Sequence, residues 1–126
     1  MKESGAFYDK ETRAAVGIFT GFLTSDRFKS IADELHEIRR KNFSSKQMND
    51  IEDMKVLTQD VQKWLNDVWF PKAKITGLKH FAFVVPKDIF GKMSMEAANK
   101  DSTVTNGIEI KYFDNQSEAK SWLKSK

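Results

Sequence analysis

Two histidines, a short acidic run and one hydroxyl-bearing turn are the residues whose types could do chemistry. His36 and His80 are the only histidines of the chain. Neither belongs to a His-x-x-x-His or Glu-x-x-His pair, the spacing that sets two ligands on one helix face. Cysteine is absent, so thiolate catalysis, disulfides and Cys-based zinc or iron–sulfur sites fall away together. Asp50, Glu52 and Asp53 cluster near a predicted strand end, but without the calcium-loop pattern they read as a solvated loop. Gly77, Gly91 and Gly107 stand alone, so no glycine-rich phosphate loop forms, and Gly-x-Ser-x-Gly does not occur. These observations predict a non-enzyme with no catalytic residues, no metal and no cofactor.

The densest basic run is Arg39-Arg40-Lys41, followed by Lys46. It has two readings: cations complementing the dipole at a helix C-terminus, or a phosphate-binding patch. No aromatic stacking platform is interleaved with it, which favours the helix end and argues against nucleic acid. The overall charge of +3, from 21 basic and 18 acidic residues, describes a mixed surface.

The elements that must position these residues follow from periodicity. Gly5–Tyr8 and Ala14–Thr20 read as a hairpin around a polar connection. Thr24 or Ser25 caps a helix with Asp26 in its first turn, an apolar stripe at Phe28, Ile31, Leu35 and Ile38, and a stop at Asn42. Gln47–Met54 is read as a short strand. A second helix starts at an N-cap Thr58, carries Val61, Trp64, Leu65, Val68 and Trp69 on one stripe, and ends at Pro71. Leu78–Pro86 has the continuous apolar character of a strand buried on both faces. A helix through Ile89, Phe90, Met93, Met95, Ala97 and Ala98 is expected next, then an alternating strand at Gly107–Asp114. Asn115 and Glu118 have capping-box spacing for a last helix with Ala119, Trp122 and Leu123 facing inward.

The order β-β-α-β-α-β-α-β-α predicts an α/β fold, a mainly parallel sheet with packed helices. A length of 126 residues and the lack of any repeat or linker predict one domain over 1–126. No apolar run at the N-terminus suits a signal peptide, and none elsewhere suits a membrane span, so a cytoplasmic protein without membrane insertion is expected.

Three segments carry a family resemblance. Ile51-Glu-Asp-Met-Lys-Val-Leu-Thr-Gln-Asp60 resembles the passage from third strand to following helix in the STAS, or SpoIIAA-like, family of anti-sigma-factor antagonists. Pro86-Lys-Asp-Ile-Phe-Gly91 and Tyr112–Leu123 are similar to the small stand-alone bacterial members. The resemblance implies a SpoIIAA-like fold and a regulatory module that binds a protein partner through the start of the second helix. Thr58, Gln59, Asp60 and Lys63 would be the contact residues. In antagonists a serine or threonine in an Asp-Ser-Ser/Thr-Gly turn is phosphorylated there. Aligned without gaps, that acceptor falls on Asp60, the aspartate on Thr58, the first serine on Gln59 and the glycine on Val61. The usual switch is therefore not carried over. Thr58 reads as a cap before it reads as a phosphorylation site. Asp60 reads as a helix-start acid, or as a fixed charge where relatives are switched. The other function open to this fold is binding an apolar molecule or nucleotide, in a pocket lined by Trp64, Trp69, Phe81, Phe83 and Phe90. The hairpin is expected to leave a sheet edge through which a homodimer could form.

Overall fold

The computed structural model describes residues 3–55, 57–88, 104–105 and 107–126. Its centre is a six-stranded sheet in the order β1-β2-β3-β4-β6-β5. The strands are β1 (Gly5–Asp9), β2 (Ala14–Ile18), β3 (Lys46–Asp50), β4 (His80–Val84), β5 (Val104–Thr105) and β6 (Ile108–Phe113). β2, β3, β4 and β6 run parallel, and the edge strands β1 and β5 pair antiparallel to their neighbours. The fold is therefore α/β with a mainly parallel sheet, as the alternation of periodicities requires. The two-residue β5 had no recognisable pattern in sequence, and the helix expected through Ile89–Ala98 lies outside the described residues.

Strand alternation sends two sets of side chains to opposite faces. Ala15, Phe19, Phe81, Ile108 and Ile110 face one core, shared with the helix α1 (Ser25–Lys41) and with Val61, Trp69 and Ala73. Val16, Ile18, Met48, Ala82 and Val84 face a second core with Ala119 and Leu123 of α4 (Gln116–Lys124). Helices thus cover both faces. Gly17 sets how closely α1 approaches the sheet. A Cβ there would stand 2.9 Å from Leu35 Cδ1 and from Phe19 Cε2, closer than carbon atoms pack.

The helix ends follow their predicted chemistry at both long helices. Thr24 Oγ1 accepts from Arg27 N at 3.1 Å, Asn42 closes α1, and Asn115 Oδ1 accepts from Glu118 N at 2.9 Å. Trp122 is only partly buried, against the second core.

The second helix departs from its prediction. It is built as α2 (Gln59–Trp64), a π-helical turn (Leu65–Trp69) and α3 (Phe70–Ile75), so it runs past Pro71. Phe70 N donates to Leu65 O, five residues back. That wider turn already breaks the i→i−4 ladder where proline lacks its N–H, so Pro71 does not end the helix. The extra residue also turns the stripe. Trp69 is buried, while Val68 faces solvent. Thr58 occupies the N-cap position, but its hydroxyl makes no capping bond to the helix backbone. The predicted strand at Gln47–Met54 ends at Asp50; Met54 instead forms an isolated bridge with Gly21.

Candidate functional site

At the end where the parallel strands finish, two loops are tied together. Gly21 N donates to Asp53 O at 2.9 Å, and Lys55 N donates to Gly21 O at 3.1 Å. Gly21 has φ 67°, a left-handed conformation natural to glycine. The pairing brings the start of α1 beside the start of α2, in the crevice at strand C-termini where α/β sheets commonly bind ligands and partners.

Asp60 is the focus of this crevice. Its carboxylate accepts from the hydroxyl of Thr58 and, at 3.1 Å, from that of Ser25 across the two helices. The bond from Thr58, then that from Ser25, holds its carboxyl below the usual aspartate value. Thr58 and Gln59 are exposed beside it, and Lys63 is exposed one turn on. Lys29 reaches over Trp64 at 5.7 Å from the ring centroid, a cation–π contact in reach of water. Phe22 stands 81% exposed on the adjoining loop. Sequence reasoning passed over it because it lies outside any periodic stripe.

Beneath the crevice lies an apolar cavity of about 60 Å³, lined by Phe28, Leu65, Trp69, Phe70, Phe81 and Phe83 among others, with Asn49 its polar member. Trp69, Phe81 and Phe83 of the predicted pocket meet here. Trp64 is outside it, beneath Lys29. Phe90 lies outside the described residues. Trp69 also donates from Nε1 to Ala32 O at 2.8 Å, which satisfies its only polar atom in the core.

A buried polar network, invisible as a motif, runs from the cavity to the opposite end of the sheet. Arg39 is fully buried. Its Nε donates to Gln47 Oε1 at 2.9 Å, its Nη1 to Thr76 Oγ1 at 3.3 Å, and its Nη2 meets His36 Nδ1 at 2.6 Å. Gln47 Nε2 continues to Asn49 Oδ1 at 3.0 Å. A guanidinium can only donate, so His36 Nδ1 accepts and the ring proton sits on Nε2, which is buried without a partner. Burial, then Arg39 and Lys72, lowers the His36 pKa to about 3. His36 is thus a neutral structural ring stacked on Trp69, 4.7 Å between centroids. His80 lies on β4 within 3.6 Å of Glu109, its pKa lowered chiefly by burial. The two histidines are held apart on different networks. Among the described residues no group of three His, Asp or Glu side chains is placed to hold a metal.

The SpoIIAA-like family pattern matches residues 17–124, from β2 to the last turn of α4. The chain belongs to the SpoIIAA-like family. No curated protein and no solved structure matches it. In this SpoIIAA-like domain, the carboxylate of Asp60 is held by two hydroxyls. Val61, the next residue, is buried in the core. Among the described residues no helix is long and apolar enough to cross a membrane.

Proposed function

We propose that this SpoIIAA-like domain, read as one cytoplasmic unit over 1–126, is a non-catalytic interaction module that binds a protein partner at the start of α2. The observation that carries the reading is the double hydroxyl clamp on Asp60. A carboxylate cannot take up a phosphoryl group as a serine hydroxyl does. Held ionised, it instead presents a permanent negative charge where switched relatives acquire one. Thr58, Gln59 and Lys63 supply polar contacts around it, and the exposed Phe22 supplies an apolar anchor of the type that dominates binding energy.

The carrier reading rests on the apolar cavity, whose size gives it less support than the interaction reading has. About 60 Å³ is well short of the roughly 300 Å³ at which small-molecule pockets begin. Mass spectrometry of an organic extract of the purified protein separates the two readings. A stoichiometric apolar molecule in the extract supports the carrier. For dimers, the proposal is pairing through the edge strand β1, and light scattering reads that directly.

The test of the interaction module is affinity capture with wild type and Asp60→Lys, followed by titration of the purified captured protein. The substitution reverses the charge at the centre of the surface. Loss of the partner by at least about tenfold in affinity is expected, the scale of removing a close charge pair at an interface. A variant that retains every partner of the wild type places the interaction elsewhere.

A further inference from the structure

At the opposite end of the sheet, where the parallel strands begin, two large apolar side chains stand in solvent. Phe43 is 98% exposed and Ile75 is 85% exposed. Phe43 also has φ 52°, the left-handed region, which is sterically costly for a bulky residue. A strained backbone that holds an aromatic ring in water gains nothing for folding. The two segments that carry them are tied together by neighbouring residues. Arg39 Nη1 donates to Thr76 Oγ1 at 3.3 Å, and Lys79 N and His80 N donate to Ser45 O at 2.8 and 3.1 Å.

The same end of the sheet carries six cations, Arg13, Lys41, Lys46, Lys72, Lys74 and Lys79. Ser44 Oγ donates to Arg13 O at 2.5 Å, which brings in the β1–β2 turn. Lys41 and Lys72 both act on Glu37, and Lys46 and Lys79 both act on His80. None of the six has an ion-pair partner among the described residues. Among the described residues, four carboxylates near this end are engaged. Glu37 pairs with Arg40 at 2.8 Å, Glu109 faces His80 and Lys126 at 3.6 and 3.7 Å, Glu11 pairs with Lys124, and Asp9 accepts from Thr12 Oγ1 at 2.7 Å. Complementing helix dipoles explains the cations in the last turns of α1 and α3. It does not explain Arg13, Lys46 and Lys79, which lie off the helices, nor the apolar pair.

We propose that this end of the sheet docks on an anionic membrane surface, with Phe43 and Ile75 entering the headgroup layer and the surrounding cations pairing with lipid phosphates. The combination of protruding apolar tips and flanking lysines is that of interfacial binding. A bilayer fits it better than nucleic acid does. Ile75 has no face on which a base could stack, and five of the six cations are lysines, which act as point charges and not as bidentate readers.

Flotation of the full chain with vesicles tests this, using phosphatidylcholine alone and phosphatidylcholine mixed with phosphatidylglycerol. Binding to the mixed vesicles only, released by salt, is expected. Each lysine near such a surface contributes about fivefold in partitioning, so Lys72→Glu with Lys74→Glu should lower it by more than about 25-fold. Phe43→Ser with Ile75→Ser should lower it at unchanged charge. Because both side chains are exposed, a melting curve verifies that this variant is folded. Three results overturn the proposal: equal binding to neutral vesicles or none, flotation of the apolar variant like wild type, or tighter binding to RNA than to the mixed vesicles.

Discussion

The two ends of the sheet handle polar groups in opposite ways. Where the strands finish, the hydrogen bonds around Asp60 are made at the surface by exposed Thr58 and partly exposed Ser25. Where the strands begin, Arg39, Gln47 and His36 make theirs inside the core, and the surface outside carries cations with no ion-pair partner among the described residues. The difference assigns different work to each end. Surface hydrogen bonds exchange with water at small net gain, so the Asp60 cluster is free to serve recognition. Buried polar groups lose much more when a partner is removed, so the Arg39 network holds the architecture.

The largest effect that sharpens this contrast is on stability. Arg39→Ala should cost about 3–5 kcal/mol, because it opens a cavity and takes the donor from the buried acceptors of Gln47 and His36 together. Denaturant unfolding measures it. Asp60→Ala in the same assay should leave the midpoint nearly in place. Equal losses at the two ends would remove the distinction.

Acid should then separate the ends. Above about pH 6.5 His36 is neutral in both folded and unfolded chains. As pH falls, the unfolded chain takes up the proton at its ordinary value of 6.5, while the folded chain resists to about pH 3. The unfolded state binds more protons in that window, so stability declines as pH falls, by up to about 1.4 kcal/mol per pH unit, and levels off below. The groups facing the ring are Arg39 and Lys72, which oppose protonation, and Glu37, which favours it. His36→Gln keeps an acceptor for Arg39 and removes the titration. Exposed Asp60 and Glu37 add acid sensitivity of the same sign at lower pH, and the difference between wild type and variant cancels it. Superimposable stability curves for the two proteins would show that His36 is not buried neutral.

The smallest effect concerns backbone strain, and its sign differs between the ends. Phe43→Gly should stabilise by about 1 kcal/mol by relieving a left-handed residue with no packing to lose. Gly21→Ala should destabilise by about the same amount. A Cβ there meets nothing within 4 Å, so only strain acts. Thermal melts read both, and two shifts of one sign would contradict the assignment.

Much of the fold was readable because burial follows periodicity. Phe28, Ile31 and Leu35 mark the inner face of α1, and the apolar run around Phe81 marks a central strand. The π-turn was not readable. The spacing of Val61, Trp64, Leu65, Val68 and Trp69 fits an unbroken α-helix, and only three-dimensional packing turns Val68 out and Trp69 in. Of the site, Asp60 stood out in the sequence through the family resemblance, but the hydroxyl of Ser25 that it accepts from comes from a residue 35 positions away, which no local pattern predicts. In the sequence Arg39 reads as a last-turn cation. The signal that could have found it is its place four residues after Leu35, on the apolar stripe itself. Phe43 was missed for the opposite reason. It lies between Lys41 and Lys46 in a turn, where sequence says nothing about exposure.

The most direct test sets the two ends against each other in one binding assay. Wild type, Asp60→Lys and the Lys72→Glu, Lys74→Glu double variant are each titrated with the purified partner recovered by wild type. The account predicts that Asp60→Lys loses that partner while the lysine variant binds it as wild type does. Retention by Asp60→Lys with loss by the lysine variant would contradict it, and would move the partner site to the basic end.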